Sequence, residues 1–222
     1  FGVATGRSIP YPNKGFGAES KFSAFMEYGL NLRNTITLGE MGEAVLGVQR
    51  VSYRNDSDPV FPISRAWNNT TGIYLDLRPK LAFSPDTAIS LAGRVDFAKT
   101  FDSKFIWKFG LRQPIGDFYI RANGGTSYSL PKVNELFAQS PTVVGNPALK
   151  TEETETYNGA IGFATNAANA RFGAEIGLFR TDITNRIQTT SGLAPNTYFN
   201  NTAVTQIRGI MADLNLAIGK QW

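Results

Sequence analysis

Three glutamates at the start of a predicted strand have the spacing that most resembles a chemical site. Glu152, Glu153 and Glu155 could act together as a general acid and base, or bind a cation. A loop that enters a strand also places such side chains in water, and this interpretation is favoured. The run Asn-Asp-Ser-Asp at 55–58 offers oxygen ligands, but it lacks the glycine and the distal glutamate of a calcium-binding loop. Neither cluster therefore predicts a catalytic or metal site.

Two residue types that carry much of enzyme chemistry are missing from the sequence. Its 222 residues include no cysteine and no histidine. There is thus no disulfide, thiolate zinc site, Fe–S cluster, cysteine nucleophile or Ser-His-Asp arrangement. The 22 basic and 18 acidic side chains leave a net charge of +4 without a basic run, which is too little for a nucleic-acid binder. We predict a protein that is not an enzyme, has no cofactor or metal of its own and binds no nucleic acid.

The elements that would position any site are β-strands, because polar and apolar residues alternate. Between 87 and 97, Ile89, Leu91 and Val95 fall on one face, and Arg94 and Asp96 fall on the other. No apolar run approaches about 18 residues, so the pattern predicts no spanning helix. About nine strands are predicted, at 21–32, 44–54, 71–84, 87–98, 104–113, 117–129, 154–164, 170–185 and 203–219.

The lengths of strands and links favour a membrane barrel. Most strands have ten residues or more, against about 5–6 in soluble sheets and about 9–11 in a tilted membrane-crossing strand. Short links at 84–86, 114–117 and 165–169 alternate with mostly longer ones at 55–70, 99–103, 130–153 and 186–202. Aromatic residues flank both ends: Phe83, Phe118, Phe163 and Phe172 at the short links, and Trp67, Phe101, Phe105, Tyr128 and Tyr198 opposite. These features favour an all-β, antiparallel up-and-down transmembrane barrel with two aromatic girdles over a soluble β-sandwich.

Three degenerate motifs follow one another in the second half of the chain. The first comprises Pro131, Asn134, Glu135, Leu136 and Phe137, and the second comprises Gly145, Asn146, Pro147, Leu149, Lys150 and Glu152. The third is a strand with Glu155, Tyr157 and Gly159, and it is followed by a strand motif at 178–187 and by Tyr-Phe-Asn-Asn at 198–201. In this order and spacing the sequence resembles the TonB-dependent outer-membrane receptors, most strongly over 117–219. Two positions depart from the family pattern: Thr151 replaces a usual proline, and Ser129 stands where many members have arginine.

The resemblance implies that this chain is one part of a larger receptor protein. Such receptors resemble 22-stranded barrels filled by an N-terminal plug, so we expect residues 1–222 to be a partial barrel domain without the plug. It implies a bacterial outer-membrane location, with lipid and lipopolysaccharide around the wall. It also implies a partner, the TonB complex, which would act through a plug domain not in this chain. An open sheet of nine strands leaves unpaired edges, so we expect no closed barrel from these residues alone.

The resemblance also suggests which residues meet ligand and plug. Ligand-facing candidates in or beside the outer loops are Arg65, Trp67, Asn134, Phe137, Tyr198 and Asn200. Planar and hydrogen-bonding side chains of this kind suit chelates such as ferric siderophores, although each could equally pack a loop or a girdle. Charges expected to face the lumen or plug are Asp76, Arg78, Arg94, Asp96, Lys108 and Arg121. Their mixed sign favours contact with a plug.

The nutrient itself is left open by the sequence. Haem receptors of this family commonly carry a histidine between the first two motifs, and 131–145 contains none, so haem is disfavoured. Cobalamin and oligosaccharides stay possible beside ferric siderophores. Two other classes of function also stay open. One is a passive porin or translocation barrel without a plug, and the other is a soluble β-rich binding or adhesion module.

Overall fold

The fold is a wall of long antiparallel strands with a small sheet at one end. A computed structural model describes residues 2–7, 24–55, 67–138, 141–167, 170–192 and 194–218. The elements in chain order are β1 (Gly2–Arg7), β2 (Ala24–Thr37), β3 (Gly42–Asn55), β4 (Trp67–Pro79), β5 (Ala88–Ala98), β6 (Lys104–Ile115), β7 (Phe118–Ser129), α1 (Val133–Phe137), β8 (Val143–Val144), β9 (Glu152–Ala167), β10 (Ala170–Thr184), β11 (Arg186–Thr189), β12 (Asn196–Asn201) and β13 (Thr205–Ile218).

Ten of these strands form one antiparallel sheet, which we call the wall. Its order is β1-β2-β3-β4-β5-β6-β7-β9-β10-β13, so each strand pairs with the wall strands next to it in sequence. Apart from the short β1, the wall strands have between 11 and 16 residues. Among the described residues β1 and β13 stand at the two edges, and the wall is open. The predicted up-and-down antiparallel architecture is therefore confirmed, as a partial barrel.

The register of pairing separates the wall into two faces. In antiparallel pairs, residues opposite each other point to the same side. Ile176 pairs with Ile161 and Ala212, whereas its neighbour Glu175 pairs with Gly162 and Asp213. One face is thus mostly aliphatic and aromatic, and the other carries most of the charges between the strand ends. We call them the apolar face and the polar face.

The apolar face is uncovered along the whole wall. Leu178 is 64% exposed, Leu214 is 77% exposed and Ile218 is 78% exposed. Only Ala44, Ala138, Leu149 and Ala160 are buried apolar residues among those described. A β-sandwich would bury one face of each sheet in a shared core, and this sheet has no such core. An apolar band of this extent is what a lipid-facing barrel wall presents.

The links are mostly shorter at one end of the wall than at the other, as predicted, although 80–87 is longer than 99–103. The links at one end are 38–41, 80–87, 116–117 and 168–169, and those at the other end are 56–66, 99–103, 130–151 and 185–204. We call these the turn end and the loop end. At the turn end, Phe163 lies 5.1 Å from Phe118 and 6.2 Å from Phe172 between ring centroids. These three rings form a row on the apolar face where an interfacial girdle is expected.

Several strand boundaries differ from the prediction. The strand predicted at 71–84 ends at Pro79, whose missing N–H stops the ladder, and Leu81 and Ser84 form only an isolated bridge within the turn. β2 continues to Thr37, and a tight turn that was not predicted leads into β3. Gly42 makes that turn possible, because it has a φ of +115° and lies against the Arg78 carbonyl.

The loop end carries structure that the alternation did not predict. β11 and β12 form a hairpin inside the link predicted at 186–202, and β12 pairs in parallel with β8. The short helix α1 precedes β8, and the Glu135 carboxylate accepts a hydrogen bond of 2.8 Å from the Lys132 N–H at its start. In the described part of the chain, no helix is long and apolar enough to span a membrane.

A charge should be tolerated on one face of β5 and not on the other. We expect Leu91→Arg, on the apolar face, to lower the free energy of unfolding by about 2–4 kcal/mol in lipid, because a lipid-facing arginine near the midplane costs this much. Its neighbour Ala92 faces Asp76 and Lys108 on the polar face, so Ala92→Arg should cost much less. Urea titration of the native protein in phospholipid vesicles measures both. Equal losses would contradict the assignment of the faces.

Candidate functional site

The polar face of the wall holds the six charged residues predicted to face the lumen or plug. Asp76 pairs with Ala92, which in turn pairs with Lys108, and Arg121 pairs with Arg112. Arg78, Arg94 and Asp96 follow the same parity on β4 and β5. The structure therefore brings the six residues to one surface, where several of them form two polar clusters.

The first group, the Asp96 cluster, joins three strands near the loop end. The Asp96 carboxylate accepts hydrogen bonds from Arg94 Nε at 2.7 Å and from the Tyr128 hydroxyl at 3.1 Å. Arg94 also donates to Gln49 Oε1 at 2.7 Å. Asp96 is only 4% exposed, and the salt bridge neutralises its charge. This cluster ties β3, β5 and β7 together across the strands between them.

A glycine makes the Asp96 cluster possible. A Cβ atom at Gly72 would lie 2.2 Å from Asp96 Oδ1 and 2.3 Å from an Arg94 nitrogen. Any side chain there would therefore displace the salt bridge. Tyr74, two residues on, lies under the Arg94 guanidinium at 6.0 Å and donates to Asn31 Oδ1 at 3.1 Å. The row of contacts thus continues as far as β2.

The second group, the Glu175 cluster, lies on the polar face nearer the turn end. Glu175 forms a salt bridge with Arg121 and accepts a hydrogen bond of 2.9 Å from the Tyr119 hydroxyl. Arg112 stacks on the Tyr119 ring at 4.4 Å. Tyr119 and Glu175 belong to strands on either side of β9, and they meet because Gly162 lies between them. A Cβ on Gly162 would lie 2.1 Å from the Tyr119 ring.

Asp76 is the exception on this face. Its Oδ2 is 3.4 Å from the Arg78 guanidinium, a long contact. Its Oδ1 is buried and has no hydrogen-bond partner among the described residues. A buried carboxylate oxygen without a donor is costly. This atom is therefore a place where a donor from another segment would add stability.

A cavity of about 590 Å³ opens at the loop end of the wall. Pairing between β6 and β7 stops at Lys108 and Gly125, and beyond that point Lys104 forms a salt bridge of 2.6 Å with Glu153 of β9. The lining includes Lys99, Phe101, Asp102, Lys104, Lys150 and Glu153. Three lysines against two carboxylates give the cavity a basic balance.

The motif residues of the two long loops fasten those loops to each other. The Asn200 amide donates to the Lys150 carbonyl at 3.0 Å and to the Asn185 carbonyl at 2.7 Å, and it accepts from Lys150 N–H at 2.7 Å. Asn146 donates to the Tyr198 carbonyl at 2.9 Å, and Glu152 accepts from Ile187 N–H at 2.6 Å. We call this set of contacts the loop clasp. Its geometry explains why an asparagine and a glutamate stand at 200 and 152.

The other motif residues lie next to the loop clasp, and several of them are buried or in close backbone contact. Leu149 is 4% exposed and Thr151, at the usual proline position, is 3% exposed. Gly145 donates to the Ala138 carbonyl at 2.7 Å, and a Cβ on it would lie 2.5 Å from the Phe137 nitrogen. Pro131 is buried at the end of β7, and Pro147 is exposed in the turn before Leu149.

Five of the six predicted ligand-facing residues lie at the loop end of the described chain. Asn134 and Phe137 belong to α1, and Tyr198 and Asn200 belong to β12. Trp67 is the first residue of β4, and Arg65 lies outside the described residues. Asn134 is exposed, whereas Phe137, Tyr198 and Asn200 are half-buried. Their contact with a ligand stays a prediction.

Two features of the site were not predicted from the sequence. Alternation puts Tyr119 and Glu175 on the polar face, but their contact with Arg121 depends on the register of three strands. Tyr128 was assigned to the outer girdle, which is wrong, because its hydroxyl bonds to Asp96 on the polar face.

The three acidic residues at 152–155 do not act as one group. Glu152 bonds to Ile187, Glu153 to Lys104 and Glu155 to Tyr157. No acidic group in the described part of the chain is arranged to hold a metal ion.

Removing one side chain of the loop clasp should loosen both loops. We expect Asn200→Ala to speed amide exchange around Lys150 and at the start of β11 about tenfold or more, because three hydrogen bonds of about 0.5–1.5 kcal/mol each are lost. Asn201→Ala is the matched control, since among the described residues the Asn201 side chain bonds to Gln188 and Ala203, both within its own loop. Hydrogen exchange of the native protein measures both. If the two variants behave alike, Asn200 does not join the loops.

Comparison with known proteins gives the family of this fold. The profile of the family described as TonB dependent receptor-like, beta-barrel matches residues 2–222. No curated protein matches the sequence. Among solved structures, the chain is similar to a double mutant of the Serratia marcescens hemophore receptor HasR in complex with its hemophore HasA and heme. The TM-score is 0.75 and the identity 13%, over 89% of this chain and 40% of that one.

Two receptors from Pseudomonas aeruginosa have a similar fold. The siderophore receptor PirA gives a TM-score of 0.74 at 17% identity, over 87% of this chain and 40% of that one. A mutant of the ferric enterobactin receptor PfeA gives a TM-score of 0.74 at 14% identity, over 87% and 33%. At such low identity these likenesses show the fold alone, and the chain spans at most 40% of the length of these three structures. Because the family profile covers nearly the whole chain, this protein belongs to the TonB-dependent receptor family and forms part of the wall of an outer-membrane β-barrel.

Proposed function

We propose that this chain is part of a receptor that binds a scarce nutrient chelate, a ferric siderophore, and imports it with energy from TonB. The observation that carries the proposal is the basic cavity of about 590 Å³ at the loop end, where Lys99 and Lys150 line the space beside Asp102, and Lys104 is paired with Glu153. Siderophores hold iron through anionic oxygen groups, and lysine ammonium groups attract such complexes. The space is also within the range of small-molecule sites.

The mixed charges on the polar face support contact with a plug. The Arg94–Asp96 and Arg121–Glu175 pairs neutralise charge within the wall. Asp76 keeps a buried oxygen without a donor among the described residues, and an N–H from a plug segment would satisfy it. In a passive porin this face would be covered by water, and a water molecule could donate the missing hydrogen bond to Asp76 equally well. The plug and its TonB contact are therefore proposals that uptake experiments must test.

The outer loops supply the further ligand contacts that we propose. Phe101 lies in the cavity lining itself, and the exposed Asn134 and half-buried Tyr198 stand on loops of the same end. Trp67 and Arg65 are included because the sequence places them in or beside an outer loop. Asn200 contributes indirectly, by holding the two loops together in the loop clasp, because its amide is already bonded to Lys150 and Asn185.

Charge removal in the cavity should weaken binding of an anionic chelate. We expect the double variant Lys99→Gln and Lys150→Gln to raise the dissociation constant about tenfold or more, since a charge-assisted hydrogen bond contributes about 1.5–3 kcal/mol. Lys80→Gln is the matched control, because Lys80 is exposed at the turn end. Quenching of intrinsic fluorescence by ferric siderophores, with the native receptor in detergent, measures the affinity. An unchanged affinity in the double variant would remove the cavity from the proposal.

Energy dependence separates an active receptor from a porin. Uptake of the radiolabelled iron chelate by cells should stop when TonB is deleted, whereas surface binding should persist. Iron starvation should also raise the level of this protein. Uptake that continues without TonB would favour a passive barrel, and a level that does not respond to iron would count against a ferric substrate.

A further inference from the structure

Strands β6 and β7 part at the loop end and leave a slit in the wall. Their pairing stops at Lys108 and Gly125, although both strands continue toward the loops. On their other sides the two strands stay paired, β6 with β5 and β7 with β9. Between the parted strands, the Trp107 N–H donates to the Thr126 hydroxyl at 3.1 Å in place of a ladder bond. A cavity of about 310 Å³ lies in this slit.

Two side-chain bridges cross the slit. Lys104 Nζ lies 2.6 Å from Glu153 Oε1, and the Tyr128 hydroxyl donates to the Asp96 carboxylate at 3.1 Å. On one rim, Lys104 stands directly opposite Asp96 of β5. On the other rim, Tyr128 stands directly opposite Glu153 of β9. Each rim thus contributes two adjacent side chains, and we call these four residues the slit quartet.

The two bridges join residues that belong to opposite faces of the wall. Asp96 lies on the polar face, and Lys104 shares that face because it is its cross-strand partner. Glu153 is an even number of residues from Ile161, so the alternation of β9 assigns it and its partner Tyr128 to the apolar face. In an unbroken sheet such residues point to opposite sides and do not meet. The bridges therefore pass through the slit, which connects the two faces.

The slit adjoins the basic cavity at one of these bridges. Lys104 and Glu153 line both the slit cavity and the basic cavity. The other charged residues of the basic cavity are Lys99, Lys150 and Asp102. An anion in the basic cavity would attract the Lys104 ammonium and repel the Glu153 carboxylate. The Glu153 side chain is 48% exposed and that of Lys104 is 21% exposed, so the carboxylate can turn into water at the lower cost.

We propose that the Lys104–Glu153 bridge is a gate across the slit, and that an anionic iron chelate in the basic cavity opens it by taking Lys104 from Glu153. This inference rests on the proposed function, since that function supplies the chelate. A ligand shifts such a two-state contact by its higher affinity for one state, and here the open state offers a third ammonium group. The rim that carries Lys104 also carries Asp96, whose contacts continue through Arg94 to Gln49 on β3. Occupation of the cavity thereby reaches the polar face of the wall.

The two partners of the gate should change chelate affinity in opposite directions. The probe is the iron(III) complex of 2,3-dihydroxybenzoate, an anionic catecholate, titrated into the native receptor in detergent with intrinsic fluorescence as the readout. We expect Lys104→Gln to raise the dissociation constant about threefold or more, because a charged donor is lost. Glu153→Gln should lower it about twofold to fivefold, the range that a partly exposed ion pair is worth. Lys80→Gln and Glu43→Gln are the matched controls, since both residues are exposed at the turn end.

Hydrogen exchange tests the gate itself, with and without ligand. Without ligand, the amides of 104–107 and 126–129 should exchange several-fold faster in either gate variant than in the native receptor, because the rims are no longer held together. When the iron complex binds, the same amides of the native receptor should also exchange faster. A ligand that only packs into the cavity would slow them. Heat-dependent mobility in gels shows that each variant keeps its barrel, and the native measurement needs no variant.

The outcomes separate the gate from the function on which it rests. A static salt bridge predicts weaker binding in both variants, so a change of the same sign in both would overturn the proposal. Unchanged exchange in both ligand-free variants, or slower exchange at the slit on binding, would also overturn it. A native receptor that does not bind the iron complex would contradict the proposed function and with it the anionic trigger. Exchange in the ligand-free variants would then decide whether the bridge holds the slit closed.

Discussion

The wall depends on one constraint, which is that a single layer of sheet must satisfy its own backbone inside a membrane. In the described part of the chain neither face packs against a second layer, and only four apolar side chains are buried. Lipid offers no hydrogen bonds, so every N–H and C=O in the bilayer must pair with a neighbouring strand. β10 accordingly pairs with β9 from Ala170 to Thr184 and with β13 from Ala170 to Ile183. Strand length, tight turns at one end and the apolar face all follow from this requirement.

The polar face shows how a single layer of sheet accommodates charged side chains. Glycine is unfavourable inside a strand because it adds no packing and loses much entropy on folding. At Gly72 and Gly162 the cost is offset, because side chains from adjacent or flanking strands meet over the gap. Arg121 reaches Glu175 past β9 in this way. The clusters then link strands that share no backbone hydrogen bonds, and they leave Asp76 as the carboxylate with an unmet oxygen in the described wall.

The sequence predicts the faces well and the contacts poorly, for a physical reason. Alternation with period two is a local property, so it assigned Arg94 and Asp96 to one face correctly. The Arg121–Glu175 contact joins residues 54 apart, and it depends on pairing registers that no local pattern encodes. Tyr128 was placed in the girdle because it flanks a long link. In the structure the β6–β7 pairing ends at Lys108 and Gly125, and the Tyr128 hydroxyl bonds to Asp96. The β11–β12 hairpin and α1 are too short and polar for periodicity to reveal.

The same break in the ladder connects the loops to the inner wall. Where β6 and β7 part, Tyr128 joins Asp96 and Lys104 joins Glu153, so the floor of the basic cavity is made of wall strands. The loop clasp above it is attached to the wall through Glu152, the first residue of β9, and through Asn185, which follows β10. β10 also carries Glu175 on the polar face. The two long loops and the strands that line the interior are therefore joined by direct hydrogen bonds and a salt bridge.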